Sequence, residues 1–196
     1  MAKTATTRYP ILAPIAARWS PRAFDDRRPL ARDDLMALFE AARWTASCFN
    51  AQPWRFVYAS RGEPAFATLL ACLRETNAGW AQHAAVLAIA AAKTTHEDGS
   101  PNGHAIHDLG QAMATLALEA TARGIHVHQM AGFYPDKARE LLGVPDGFEP
   151  KTAVAIGYLG DHARLPDKLR ERELLPRTRK PIEELAFNGA WPKATA

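Results

Sequence analysis

The sequence predicts one mixed domain of helices and strands that pairs with a second copy of itself. Three observations carry that expectation: short strand-like runs, helices with apolar periodicity, and one long helix that lacks a polar face. At 196 residues the chain fits a single domain spanning 1–196, with enough length to bury most of the surface its unfolded form exposes.

In chain order, Leu35, Leu38, Phe39, Ala42 and Ala46 recur at helical spacing between Arg32 and Ala46. Asp33 and Asp34 sit there where a helix N-terminus favours negative charge. Trp54 to Ala59 alternates and is rich in aromatic and β-branched residues, which predicts a strand. Pro64 to Arg74 reads as a second helix, carrying Phe66, Leu69, Leu70 and Leu73. Ala84 to Ala92 and Thr152 to Tyr158 are short apolar runs read as buried strands, although periodicity alone does not separate them from helix.

His104 to Arg123 is the informative helix, closed by Gly124 at a C-terminal cap. Ile106, Leu109, Met113, Leu116, Leu118 and its alanines leave Asp108, Glu119 and Arg123 as the only formal charges. A helix apolar nearly all round must be covered nearly all round, and about three strands and a few short helices do not suffice for that. A homodimer answers the requirement, with Gly110 allowing close backbone approach; a central helix inside a monomer is the alternative. The tail, about 160–196, supports the dimer. Its four prolines and many charges preclude a core, yet Ile182, Leu185, Phe187 and Trp191 are more apolar than a disordered tail requires. An arm lying over a neighbour explains both facts.

Net charge is +3, too small an excess for nucleic-acid binding, and the late cluster from Arg164 to Lys180 is interleaved with Asp167, Glu171 and Glu173. That cluster reads mostly as a solvated, charge-balanced segment. Cys48 and Cys72 are too few for a disulfide framework or a cysteine-based zinc site. Residues 1–10 hold no apolar core of signal-peptide length, and the most apolar run is far short of the ~20 residues that span a bilayer. The expectation is no membrane and a cytoplasmic location. Seven histidines include the pairs His104/His107 and His126/His128, the latter sharing a face if extended, but nothing completes a ligand set, so no metal is expected.

Four segments could carry chemistry. Arg18-Trp19-Ser20-Pro21-Arg22 offers forked guanidinium donors and a hydroxyl to a phosphate. Ser47-Cys48-Phe49-Asn50-Ala51-Gln52-Pro53-Trp54 joins a helix to a strand through amides that both donate and accept, as the mixed edge of a heterocycle requires; a loop capping its own backbone is the competing reading. The stretch from His126 to Phe133 contains Met130-Ala131-Gly132, whose small residues expose backbone N–H groups to a flat ligand. Arg177-Thr178-Arg179 follows near the end.

Taken together and in this order, with Asn77-x-x-Trp80 between them, these segments resemble the FMN-dependent nitroreductases from about Ala13 to Glu184. The resemblance implies an α+β fold: a small, mainly antiparallel sheet flanked by helices, with the C-terminal arm exchanged between subunits of a homodimer. It implies that Arg18, Trp19, Ser20 and Arg22, with Arg179, hold the phosphate and ribityl side of FMN, and that Arg177 lies near the phosphate or the pyrimidine edge. Asn77 would contact the ribityl chain or the pyrimidine oxygens. Ser47, Cys48, Phe49, Asn50 and Gln52 would approach from the other subunit, and Met130, Ala131 and Gly132 would present backbone to the flavin N5–O4 edge. The implied activity is ping-pong transfer of hydride from NADH or NADPH through FMN to a small-molecule acceptor such as a nitroaromatic or quinone. It needs no catalytic side chain, because the cofactor carries the chemistry. A flavin-binding protein without turnover is the alternative. Some better-known members have a glutamate where Ala131 stands and a lysine where Trp80 stands, and the second difference would place a bulky ring where those have a cation.

Overall fold

The structure is a computed structural model and describes residues 3–192; the last four positions of the expected arm lie outside that range. Seven α-helices and four strands are present among the described residues: α1 (Ala13–Ala17), α2 (Arg32–Arg43), β1 (Trp54–Ser60), α3 (Pro64–Ala71), α4 (Glu75–Ala81), β2 (Val86–Lys93), α5 (Ala105–Ala122), β3 (His126–Met130), α6 (Pro135–Leu142), β4 (Phe148–Gly157) and α7 (Asp167–Leu174). The strands form one antiparallel sheet in the order β1-β2-β4-β3.

The alternation of strand side chains divides the core into two layers. From β2, Val86, Ala88, Ala90 and Ala92 point to a layer with Leu35 and Leu38 of α2 and Leu109, Met113 and Leu116 of α5. Leu87 and Ile89 point the other way, into a layer with Leu69 of α3, Trp80 of α4 and Ala138 of α6. A strand covered on both faces must be apolar throughout, which is why Ala84–Ala92 reads as one unbroken run. Its alanines leave room for α5 to lie close against the sheet.

The six elements predicted from the sequence are all present with shifted ends. Two end early: α2 stops at Arg43, where Trp44 leaves helical geometry, and α3 stops at Ala71, where the chain turns into α4. The cap after α5 is as expected: Gly124 has φ +70°, a conformation that costs glycine little. One strand was missed. His126–Met130 carries two histidines and a glutamine, so apolar alternation gives no signal, yet it pairs along Gly157–Ala153. As the spacing of the histidines implied, His126 and His128 share its face, opposite Val127.

The central helix α5 is only partly covered within the protomer. Leu109, Ala112, Met113, Leu116 and Ala120 are buried, whereas Ile106, Gly110 and Ala114 form an exposed row one turn apart. Among the described residues no helix is long and apolar enough to cross a membrane.

Candidate functional site

The two ends of the chain meet. Arg177 on the segment after α7 donates through Nη1 to the carbonyls of Lys3 (2.8 Å) and Ala16 (2.6 Å), and Lys3 Nζ returns a bond to Leu175 O (2.8 Å). Arg8 and Glu183 close the same contact as an ion pair at 2.7 Å. This brings Arg18, Arg177 and Arg179 to one open groove of about 640 Å³, with Thr6, Tyr9 and Ile15 among its walls. Among the described residues, none of the three guanidinium groups has a carboxylate within 4.0 Å. Burial, then the charge of Arg179, lowers the pKa of Arg18; burial, then Arg18 and Arg179, lowers that of Arg177. Three cations held together without a counter-ion are a demand for an anion.

Next to the groove, Arg18 Nη1 donates to Ser20 Oγ at 3.4 Å. The following turn is gripped from two sides. Glu173 of α7, 3% exposed, accepts the backbone N–H of Arg22 (2.9 and 3.1 Å) and of Ala23 (3.1 Å). The carbonyl of Pro21 accepts from His128 Nδ1 at 2.7 Å. Burial pushes the His128 pKa down to about 4, outweighing the bond to Pro21, so the ring is neutral near pH 7 and Nδ1 carries the proton. The segment reading as solvated from sequence is therefore wrong at Glu173, a buried acid with bonded partners. Trp19 stacks edge-on to His126 at 6.1 Å and sits under Lys3 Nζ at 4.8 Å.

A third group lies at the entry of α4. Asn77 Nδ2 donates to Gly132 O at 3.0 Å, and the same carbonyl accepts from Arg74 N at 3.1 Å. A Cβ on Gly132 would come within 2.5 Å of Asn77 Nδ2, so the close approach requires glycine. Among the described residues neither Ala131 N–H nor Gly132 N–H donates to a protein acceptor. The Met130 side chain is buried in the core, which leaves its main chain alone to this turn. Trp80 is corrected by the structure. At 1% exposure it lies between Phe24 (6.2 Å, nearly parallel) and His128 (4.5 Å), so it backs the site and does not stand in a ligand cleft.

The loop from Ser47 to Gln52 does cap its own backbone, as the competing reading held: Ser47 Oγ accepts from Gln52 N, and Gln52 Nε2 donates to Asn50 O. It is also anchored below, where Asp108 of α5, 1% exposed, accepts from Cys48 N at 3.1 Å. Yet Phe49, Asn50 and Gln52 all have positive φ (50°, 56° and 46°), and Phe49 is 97% exposed. Backbone strain concentrated in one loop that displays an aromatic ring to solvent marks a functional surface. Asn50 and Gln52 line a separate cavity of about 540 Å³ with Arg55 and Lys93. Among the described residues no hydrogen bond or shared cavity joins this loop to the arginine groove. The sequence-predicted residues thus fall into two sets: the arginine groove with its adjoining turns, and this loop. Glu173 and Asp108 were not legible as site features, because a single acid carries no spacing signal.

Comparison with known proteins places the chain in a family. The model of the Nitroreductase family matches residues 15–158. A solved structure described as an oxidoreductase containing FMN superposes with a TM-score of 0.92 at 37% identity, covering 98% of both chains. An uncharacterized 15.4 kDa protein of Mycolicibacterium smegmatis is 37% identical over 70% of this chain and 97% of its own. The major NAD(P)H-flavin oxidoreductase of Aliivibrio fischeri is 35% identical over a shorter stretch, 25% of this chain and 22% of its own. The chain is a member of the Nitroreductase family and has its oxidoreductase fold.

Proposed function

We propose that the protein is a homodimeric, cytoplasmic FMN enzyme that moves hydride from NADH or NADPH to a small organic acceptor, such as a nitroaromatic or a quinone. The observation that carries this reading is the groove in which Arg18, Arg177 and Arg179 stand together with no carboxylate within 4.0 Å of them among the described residues, its one lining acid, Glu183, being paired with Arg8. A flavin phosphate supplies the charge they lack. The free N–H groups of Ala131 and Gly132 suit the acceptor edge of a flat heterocycle, and the FMN-containing relative has nearly the same fold over its whole length.

When bound, FMN supplies the hydride-accepting centre. The chain's own residues bind and orient. The arginines fix the phosphate end, Asn77 keeps the 131–132 turn in place, and the N–H donors of that turn favour electron density at the ring edge they face. The exposed Phe49 loop and the uncovered row Ile106-Gly110-Ala114 support assembly with a second copy, whose 47–52 loop completes each site. The exposed Ile182, Leu185 and Trp191 of the tail support its lying on that copy. Two free cysteines accord with a reducing compartment.

The test is anaerobic mixing of the purified yellow protein with NADH and with NADPH, followed by an acceptor. Loss of flavin absorbance with one donor, restored by the acceptor, is the expected result. Colour that persists with both donors would favour flavin storage without turnover.

A further inference from the structure

The helix α7 is polar, and its one buried residue is an acid, Glu173. Helices dock by burying apolar side chains; burying a carboxylate costs free energy unless its oxygens are bonded. Here they are bonded to main chain. Oε1 accepts from Arg22 N at 2.9 Å and Ala23 N at 3.1 Å, Oε2 accepts from Arg22 N at 3.1 Å, and Oε2 lies 3.9 Å from Arg22 Nη1. The turn after Ser20 is also held through Pro21 O by His128. Beyond it, Gly160 N donates to Ala23 O and Asp25 N to Tyr158 O. The backbone on which Ser20 and Arg22 ride is therefore fixed by the C-terminal helix, by β3 and by the end of β4.

We propose that Glu173 is a positioning residue for the cofactor phosphate. It gathers two N–H groups to set the direction in which Ser20 and Arg22 project. It also lies 3.9 Å from the Arg22 guanidinium, while Arg18, Arg177 and Arg179 have no carboxylate within 4.0 Å among the described residues and complete the phosphate site. The proposal rests on the FMN reading above. It predicts that Glu173 governs discrimination between FMN and riboflavin, which differ only in the phosphate, and leaves recognition of the ring system untouched.

The experiment titrates the full-length chain, freed of bound flavin, with FMN and with riboflavin, for wild type, Glu173→Ala, Glu173→Gln and Glu173→Asp. The wild type should prefer FMN. In Glu173→Ala the preference should fall by about tenfold, with riboflavin affinity unchanged, since bonds to a charged acceptor are lost. Glu173→Gln should recover most of it, because one side-chain oxygen already takes both N–H groups. Glu173→Asp, shorter by one methylene, should resemble the alanine variant, and serves in its place if alanine fails to fold. An unchanged preference in the alanine and aspartate variants overturns the proposal, as does a proportional loss of both ligands. Failure of Gln to rescue also overturns it, by assigning the effect to charge alone. A wild type that binds neither flavin, or both equally, refutes the FMN reading itself and is distinguishable from all of these.

Discussion

Replacing Gly132 with alanine adds one methyl group at a crowded point beside the site. That carbon would stand 2.5 Å from Asn77 Nδ2 and 3.5 Å from its Cγ. Ordinary contact between such atoms begins near ~3.5 Å, so the Asn77 amide must withdraw by about 1 Å. Its bond to Gly132 O, 3.0 Å at present, cannot survive that movement. The carbonyl keeps Arg74 N as a partner at 3.1 Å, which limits the damage to one hydrogen bond and some loss of packing, about 1–2 kcal/mol. For a chain of this size each kcal/mol lowers the melting temperature by roughly 2–4 °C. The decisive assay is a double-mutant cycle of thermal melts using Gly132→Ala, Asn77→Ala and the pair. With the amide already removed, the methyl group has nothing to displace, and its cost should fall by at least half. If Gly132→Ala costs the same in both backgrounds, the crowding described at this turn is not the cause.

Three further outcomes follow from the geometry. His128 has its pKa lowered by burial to about 4, against 6.5 for the free ring, so the unfolded chain takes up a proton first as pH falls and stability drops between pH 6.5 and 4, by up to about 3 kcal/mol, with no effect above that window. His128→Asn keeps a donor for Pro21 O and loses the titration. Its melting temperature should fall less across this range, though His126, also lowered by burial, leaves some slope; an equally steep curve refutes the assignment. Arg179→Gln should leave thermal stability within about 0.5 kcal/mol, since the residue is exposed, while FMN affinity falls about tenfold and becomes less salt-sensitive; unchanged flavin titrations at low and high salt would contradict the groove's role. Phe49→Ala should leave the melt of the protomer unaltered within about 0.5 kcal/mol, because the ring is 97% exposed. Sedimentation should show subunit association weakened by roughly tenfold or more, and a variant that pairs as tightly as wild type would remove Phe49 from the interface.

How much was legible in the sequence depended on whether a feature repeats. The buried strand β2 announced itself because both of its faces are covered and every position must be apolar. The cap at Gly124 and the start of α2 at two aspartates rest on local backbone physics and are visible without tertiary context. By contrast β3 was hidden, since its face toward the N-terminal turn carries His126, packed edge-on to Trp19, and His128, packed on Trp80 and bonded to Pro21 O, in place of aliphatic side chains. The arginines could be read from type and order, because forked donors have few uses. That no carboxylate pairs with them among the described residues could not, since Glu173 and Glu183 stand near them in sequence and only the fold shows the first bonded to Arg22 N and Ala23 N and the second paired with Arg8. Trp80 shows the opposite error: a large ring at a position known for a cation invited a role toward the ligand, and the packing of Phe24 and His128 places it in the core.

Arg177 and the Ala16 carbonyl it binds are 161 positions apart. During synthesis at ~5–20 residues per second, the first half of the anion groove waits some ten to thirty seconds for the second. The sheet and α5 contain no part of that contact and can form earlier. Closure of the arginine groove is thus a late event in the biogenesis of this protein, after translation has delivered Arg177. A truncated or stalled nascent chain would hold a folded sheet and no competent ligand groove.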